Sequence, residues 1–105
     1  VIPKYRNKKS GGFDSKKEHK RAIELKLMAR GGIITALQEQ VTFELQPAFK
    51  CNGKTERAIK YIADFTYIKG TQKIVEDVKG FKTDVYKIKR KMLLLKYPEI
   101  TFIET

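Results

Sequence analysis

"YIADFTYIKGTQKIVEDVKGF", residues 61–81, decides the fold. Its first half alternates apolar and polar positions with the period of two that marks a half-buried strand, and Asp64 interrupts it. Its second half sets Glu76, Asp77 and Lys79 between Ile74, Val75 and Val78. Between the halves, Gly70-Thr71 fits a two-residue type II′ turn, where glycine takes the first central position. That turn predicts an antiparallel hairpin in which Lys69 faces Gln72, Ile68 faces Lys73 and, further out, Asp64 faces Asp77. Alternation then puts Asp64, Asp77 and Lys79 on one face and turns Glu76, opposite Phe65, to the other. A slip of one residue would hand the role of Asp77 to Glu76.

Upstream, "FDSKKEHKRAIELKLMARGG" (residues 13–32) reads as a helix. Ser15 caps it, Glu18 completes an S-x-x-E capping box, and Gly31-Gly32 end it. Its apolar stripe runs through Ala22, Leu25, Met28 and Ala29, widened by Ile23. "IITALQ" and "VTFELQPAF" follow as strands, and "KCNGKTE" is a turn with Asn52-Gly53 at its tip. Downstream, Thr83 or Asp84 caps a second helix, "DVYKIKRKMLLLKY", with an inner stripe of Val85, Ile88, Met92 and Leu95 and a stop before Pro98. "ITFIE" is a last short strand. The order helix, three or four strands, helix, strand predicts an α/β fold: a mixed sheet flanked by two helices. The link from "VEDVKG" through the second helix to "ITFIE" is a βαβ crossover, so those two strands run parallel.

At 105 residues the chain is expected to be one domain, residues 13–105, behind a basic flexible arm at 1–12. It opens on Val1 instead of Met, which points to a trimmed start, and no signal-peptide pattern follows. No apolar run approaches the ~20 residues of a membrane span. Cys51 and His19 are the lone cysteine and histidine, too few for a zinc site or an internal disulfide. The single thiol suits a reducing cytoplasm.

The net charge of +11 is unevenly spread. It is +7 over residues 1–30, zero over 31–78, +6 over 79–97 and −2 over the last eight residues. Segregation of this kind is the footprint of a polyanion-binding surface, with lysine-rich solvated helix faces as the plainer alternative. Neither basic segment joins its charges to a large aromatic face, which argues against a membrane surface.

Like charges directly across a strand pair destabilise it unless one is protonated or a cation bridges them. Oxygen-only ligands select a hard ion, Mg²⁺ or Mn²⁺. Lys79, on the same face, is placed to stabilise an attacking hydroxide or a phosphoryl oxygen. Glu18 lies on the helix stripe facing the sheet, so it serves as a cap, as an aid to the metal, or as both. The competing reading of Asp64, Asp77 and Lys79 is a structural ion pair.

Asp64 followed by "EDVKG", in which Asp77-Val78-Lys79 reads as (D/E)-x-K, resembles the PD-(D/E)xK nuclease motif. The order of elements resembles that superfamily's αβββαβ core. "FDSKKE", "FELQPAF", "YIADF" and "VEDVKGFKTDVYKIKRK" together resemble a small phage and prophage family grouped with these nucleases. The resemblance implies Mg²⁺-dependent hydrolysis of DNA phosphodiesters in a bacterial cytoplasm. It implies Asp64 and Asp77 as metal ligands, the Val78 carbonyl as a third, Glu18 assisting, and Lys79 activating the water. Ala63 replaces the motif proline, and Asp77 is shorter than the usual Glu. Phosphate contacts are expected from Lys16, Lys17 and Lys20, from Lys82, Lys87, Arg90 and Lys91, and from Lys4, Arg6, Lys8 and Lys9 of the arm. Tyr5 and Tyr86 are candidates for stacking or for packing, and His19 is expected to be exposed. A metal-dependent DNA endonuclease is the expectation, with selectivity for branched or other non-linear DNA, and with it a homodimer, as its narrower form. The alternative is a non-catalytic DNA-binding module or a partner subunit with the same fold.

Overall fold

A computed structural model of the chain describes residues 11–78 and 82–105, with side chains from residue 16 onward. Helix α1 (Gly11–Arg30) leads into β1 (Thr35–Gln46), a small hairpin of β2 (Phe49–Cys51) and β3 (Lys54–Glu56), then β4 (Ile59–Lys69) and β5 (Gln72–Asp77). Helix α2 (Asp84–Lys96) and β6 (Ile100–Glu104) complete the chain. The main sheet has the order β1-β4-β5-β6. The first two pairings are antiparallel and β5–β6 is parallel, the crossover expected of a strand–helix–strand unit. This is the α/β fold with a mixed sheet and two helices anticipated from the sequence, and β2–β3 is an added hairpin.

The turns follow their residues. Gly70 takes φ 64° at the first central position of the β4–β5 turn, and Asn52 and Gly53 take φ 52° and 77° between β2 and β3. The expected register holds at every paired position from Lys69↔Gln72 to Phe65↔Glu76. Gly32, at φ 79°, closes α1 with the Ile33 amide bonded to the Met28 carbonyl at 2.9 Å and the Gly32 amide to Ala29 at 3.1 Å. The Thr83 hydroxyl caps α2 by accepting the Tyr86 amide at 3.0 Å.

Three expectations are corrected. Helix α1 begins at Gly11, so Ser15 stands inside it and cannot be its cap. Ile23 is exposed and does not widen the inner stripe. On α2 the buried residues are Tyr86 and Leu93, whereas Val85, Ile88 and Leu95 face solvent. An i, i+7 pair one position from the expected stripe wins because Tyr86 carries both apolar area and a hydroxyl with a partner on β6.

The core has two parts. Ala22 and Leu25 of α1 pack with Phe65, Tyr67, Ile74 and Val78. Tyr86 and Leu93 of α2 pack with Leu45, Tyr61, Ala63 and Val75. Tyr61, Ala63, Phe65 and Tyr67 share one parity on β4, so simple alternation would send all four to one helix. They divide instead at Asp64. On β1 the matching position is Gln40, which has φ 54°, a left-handed conformation rare in a strand. There Glu39 reaches Lys26 of α1 at 3.5 Å, yet Phe43 and Leu45, of the same parity, join the α2 part of the core.

The inner face of α2 has a direct thermodynamic test. Leu93→Ala removes a fully buried side chain and should lower stability by roughly 2–5 kcal/mol in urea denaturation. Leu95→Ala, at an exposed position, should change it by less than about 0.5 kcal/mol.

Candidate active site: a carboxylate pair at the open end of a hairpin

The β4–β5 ladder stops at Phe65 and Glu76, and the next residues on each strand are Asp64 and Asp77. Asp77 is 1% exposed, and the Tyr61 hydroxyl donates to its Oδ2 at 2.7 Å. The Val78 amide donates to Asp64 Oδ2 at 2.8 Å. The two carboxyl groups therefore meet where the strands part, each held by a donor of its own. The amide of Thr105, after β6, donates to the Asp77 carbonyl at 3.0 Å and ties down the backbone beneath.

Burial pushes the Asp64 carboxyl up to about 7, helped by the adjoining Asp77 carboxyl and the charge of Glu18, against the Val78 amide. The charge of Glu18 is the weakest of these influences on Asp64. Glu18 Oε2 accepts from Gln40 Nε2 at 2.8 Å, so α1 and β1 hold it jointly. Among the described residues no three His, Cys, Asp or Glu side chains form a group able to hold a metal ion. The donor set is a pair of carboxylates with a third acid nearby, all oxygen, the type that hard divalent cations take with waters completing the shell.

Glu76 has a different task. It is fully buried, and Arg21 contacts both of its oxygens, Nε at 2.6 Å and Nη2 at 3.2 Å. Tyr67 and Thr105 also donate to it, at 2.6 and 2.8 Å. Burial opposes its ionisation, but Arg21, Tyr67 and Thr105 outweigh that and hold it below the usual carboxylate range. Tyr67 is pushed up to about 12 by burial and by Glu76. With the register unslipped, Glu76 turns to Arg21 of α1 and Asp77 to Tyr61 of β4.

Lys79 lies outside the described residues, as do Lys4, Tyr5, Arg6, Lys8 and Lys9. Lys16, Lys17, Lys20, Lys87 and Lys91 are exposed, and so are His19 and Cys51. Lys82 and Arg90 differ from an open phosphate contact: Glu104 lies 3.1 Å from Lys82 and 3.9 Å from Arg90. A phosphate would have to displace that carboxylate, whose proton affinity is lowered by the Tyr86 hydroxyl, Lys82 and Arg90. Tyr86 is buried and donates to Glu104, so it packs and does not present a ring for stacking.

Sequence reasoning missed Tyr61, Gln40 and Arg21. Arg21 stands four residues before Leu25 on the flank of the α1 stripe, a signal for a cation at the helix–sheet junction. Tyr61 and Gln40 gave none, because their roles arise from the change of parity at Asp64 and Gln40.

Two measurements follow from these environments. An acid whose folded proton affinity exceeds its unfolded one favours the native state while protonated, so stability contributed by Asp64 is lost as pH rises from about 4 to about 7. Asp64→Asn should flatten that slope in thermal melts across this range and should exceed the wild type in Tm at pH 7.5. Arg21→Ala leaves Glu76 buried without its cation and should cost about 3 kcal/mol, the low end for a broken buried pair because Arg21 itself is partly solvated.

No curated protein and no solved structure matches the chain. The model of the family described as "Protein of unknown function (DUF1064)" matches residues 3–104. The chain belongs to that family.

Proposed function

We propose that the protein is a metal-dependent DNA endonuclease of the PD-(D/E)xK kind, selective for branched or otherwise non-linear DNA. The observation that carries this reading is the meeting of Asp64 and Asp77 at the open end of the β4–β5 hairpin, in a chain of net charge +11. A buried pair of like charges beside Glu18 is electrostatically frustrated, and a proton or a hard cation relieves it. The resemblance of Asp64 and Asp77-Val78-Lys79 to the nuclease motif supports the cation. A role in phage or prophage DNA processing in a bacterial cytoplasm rests on that resemblance.

In this reading Asp64 and Asp77 hold Mg²⁺ or Mn²⁺, with Glu18 assisting directly or through water and the Val78 carbonyl as a third ligand. The ion, when bound, supplies Lewis acidity and a bound water of lowered pKa. Tyr61 fixes the rotamer of Asp77, and the Val78 amide fixes Asp64. Lys79 orients the attacking water. The water oxygen bonds to phosphorus as the bond to the 3′ oxygen breaks and that oxygen takes a proton, leaving 5′-phosphate and 3′-hydroxyl ends. Lys16, Lys17 and Lys20 on α1, with Lys87 and Lys91 on α2, are exposed cations for the DNA backbone. Their contribution is affinity and salt dependence without sequence choice. Two copies of the chain would suit a two-armed branched substrate.

The test is cleavage of branched, single-stranded and linear duplex DNA with Mg²⁺ or Mn²⁺. Asp77→Asn and Lys79→Ala should each lower the rate by roughly a hundredfold or more while DNA binding persists. Salt-dependent binding by a wild-type protein that never cuts would sink the nuclease reading and leave a DNA-binding module. Cleavage that survives both substitutions would sink the site.

A further inference from the structure

Gln40 occupies the one paired stretch of β1 where a strained residue has no bulge to account for it. Ala36, at φ 56°, falls within the register shift between Thr35 and Gln38, so its conformation belongs to an irregular ladder. Gln40, at φ 54°, lies between the pairs Glu39↔Phe65 and Val41↔Ala63, which keep a common register with no residue inserted. The position it faces by that register is Asp64. A glutamine in the left-handed region is held there by its surroundings, since Gly, Asn or Asp would adopt it at lower cost.

The conformation has a geometric product. In a regular strand Glu39 and Gln40 would point to opposite faces. Here both reach α1, Glu39 to Lys26 at 3.5 Å and Gln40 Nε2 to Glu18 Oε2 at 2.8 Å. The left-handed backbone at Gln40, which faces Asp64 across the ladder, accompanies an amide that reaches the helix carrying Glu18.

We infer that Gln40 is a positioning residue: its strained backbone and its side-chain amide hold Glu18 toward the carboxylate pair, completing the outer shell of a divalent-cation site. The inference rests on the metal-dependent reading above. An amide suits this place because it donates to Glu18 without adding a charge of either sign: a lysine would compete with the cation, and a glutamate would repel Glu18.

Glycine separates the two parts of the argument, since it adopts a positive φ freely but has no amide to donate. The experiment is Mn²⁺ titration, with free Mn²⁺ read by electron paramagnetic resonance, and thermal melts of the metal-free proteins alongside. The set is wild type, Asp77→Asn, Gln40→Gly and Gln40→Ala. The expected result is Mn²⁺ binding by the wild type, its loss in Asp77→Asn, and about tenfold weaker binding in both Gln40 variants. Gln40→Gly should melt at or above the wild-type temperature, because the strain is relieved. Wild-type affinity in both Gln40 variants would overturn the positioning role and leave the nuclease reading standing. Wild-type affinity in Gln40→Gly alone would also overturn it, assigning the residue to backbone shape. Equal Mn²⁺ binding by wild type and Asp77→Asn, or none by either, would overturn the metal site and this inference with it.

Discussion

Two adjacent carboxylates, Glu76 and Asp77, are fully buried at the end of one strand, and much of the molecule is arranged around that constraint. A buried carboxylate without partners is prohibitively costly, so each must be satisfied where it points. Because neighbours in a strand face opposite ways, the two needs fall on different sides of the sheet. Arg21, Tyr67 and Thr105 gather at Glu76, recruiting α1, β4 and the chain end into one buried network. Tyr61 serves Asp77, with Asp64 beside it. Glu76 is fully compensated by a guanidinium. The Asp64 and Asp77 pair has hydroxyl and amide donors, and Asp64 keeps an elevated proton affinity. Of two acids joined by one peptide bond, one is tied to Arg21 of α1 and the other to Tyr61 of β4.

The sheet reaches both helices through a change of parity at Asp64 and Gln40. Beyond that point the same alternate positions of β4 serve a different helix: Tyr61 and Ala63 pack with α2, Phe65 and Tyr67 with α1. The reversal coincides with the end of the β4–β5 ladder, so backbone strain, the parting of strands and the carboxylate pair share one place. A glutamine in the left-handed region costs on the order of 1–3 kcal/mol, which the surrounding packing must offset.

Charge is distributed with a similar division of labour. Glu104 engages Lys82 and Arg90, while lysines on the outer faces of α1 and α2 stay in solvent. Exposed lysines contribute little to stability. They are concentrated on the two segments that flank the hairpin in sequence, and the proposed contact with DNA rests on them. Among the described residues no helix is long and apolar enough to cross a membrane.

Local chemistry determined a large part of this protein. Gly70-Thr71 specifies a hairpin turn, the turn specifies the register, and the register separates Asp77 from Glu76. Asn52-Gly53, Gly31-Gly32 and Thr83 likewise announce a turn, a helix end and a helix start through positive φ or a side-chain acceptor. These features were legible because each depends on residues within a few positions of one another. The burial of Tyr86 and Leu93 in place of Val85, Ile88 and Leu95 was not, since several stripes on a helix rich in apolar residues satisfy the same periodicity. Only packing against β4 and the contact of Tyr86 with Glu104 chose between them. The site divides in the same way. Its two aspartates follow from strand register, whereas Tyr61 on Asp77, Gln40 on Glu18 and Arg21 on Glu76 were decided by the tertiary structure. The change of parity at Asp64 and Gln40 leaves no mark in the sequence, because it shows only in which helix each side chain packs against, and those helices are distant in the chain.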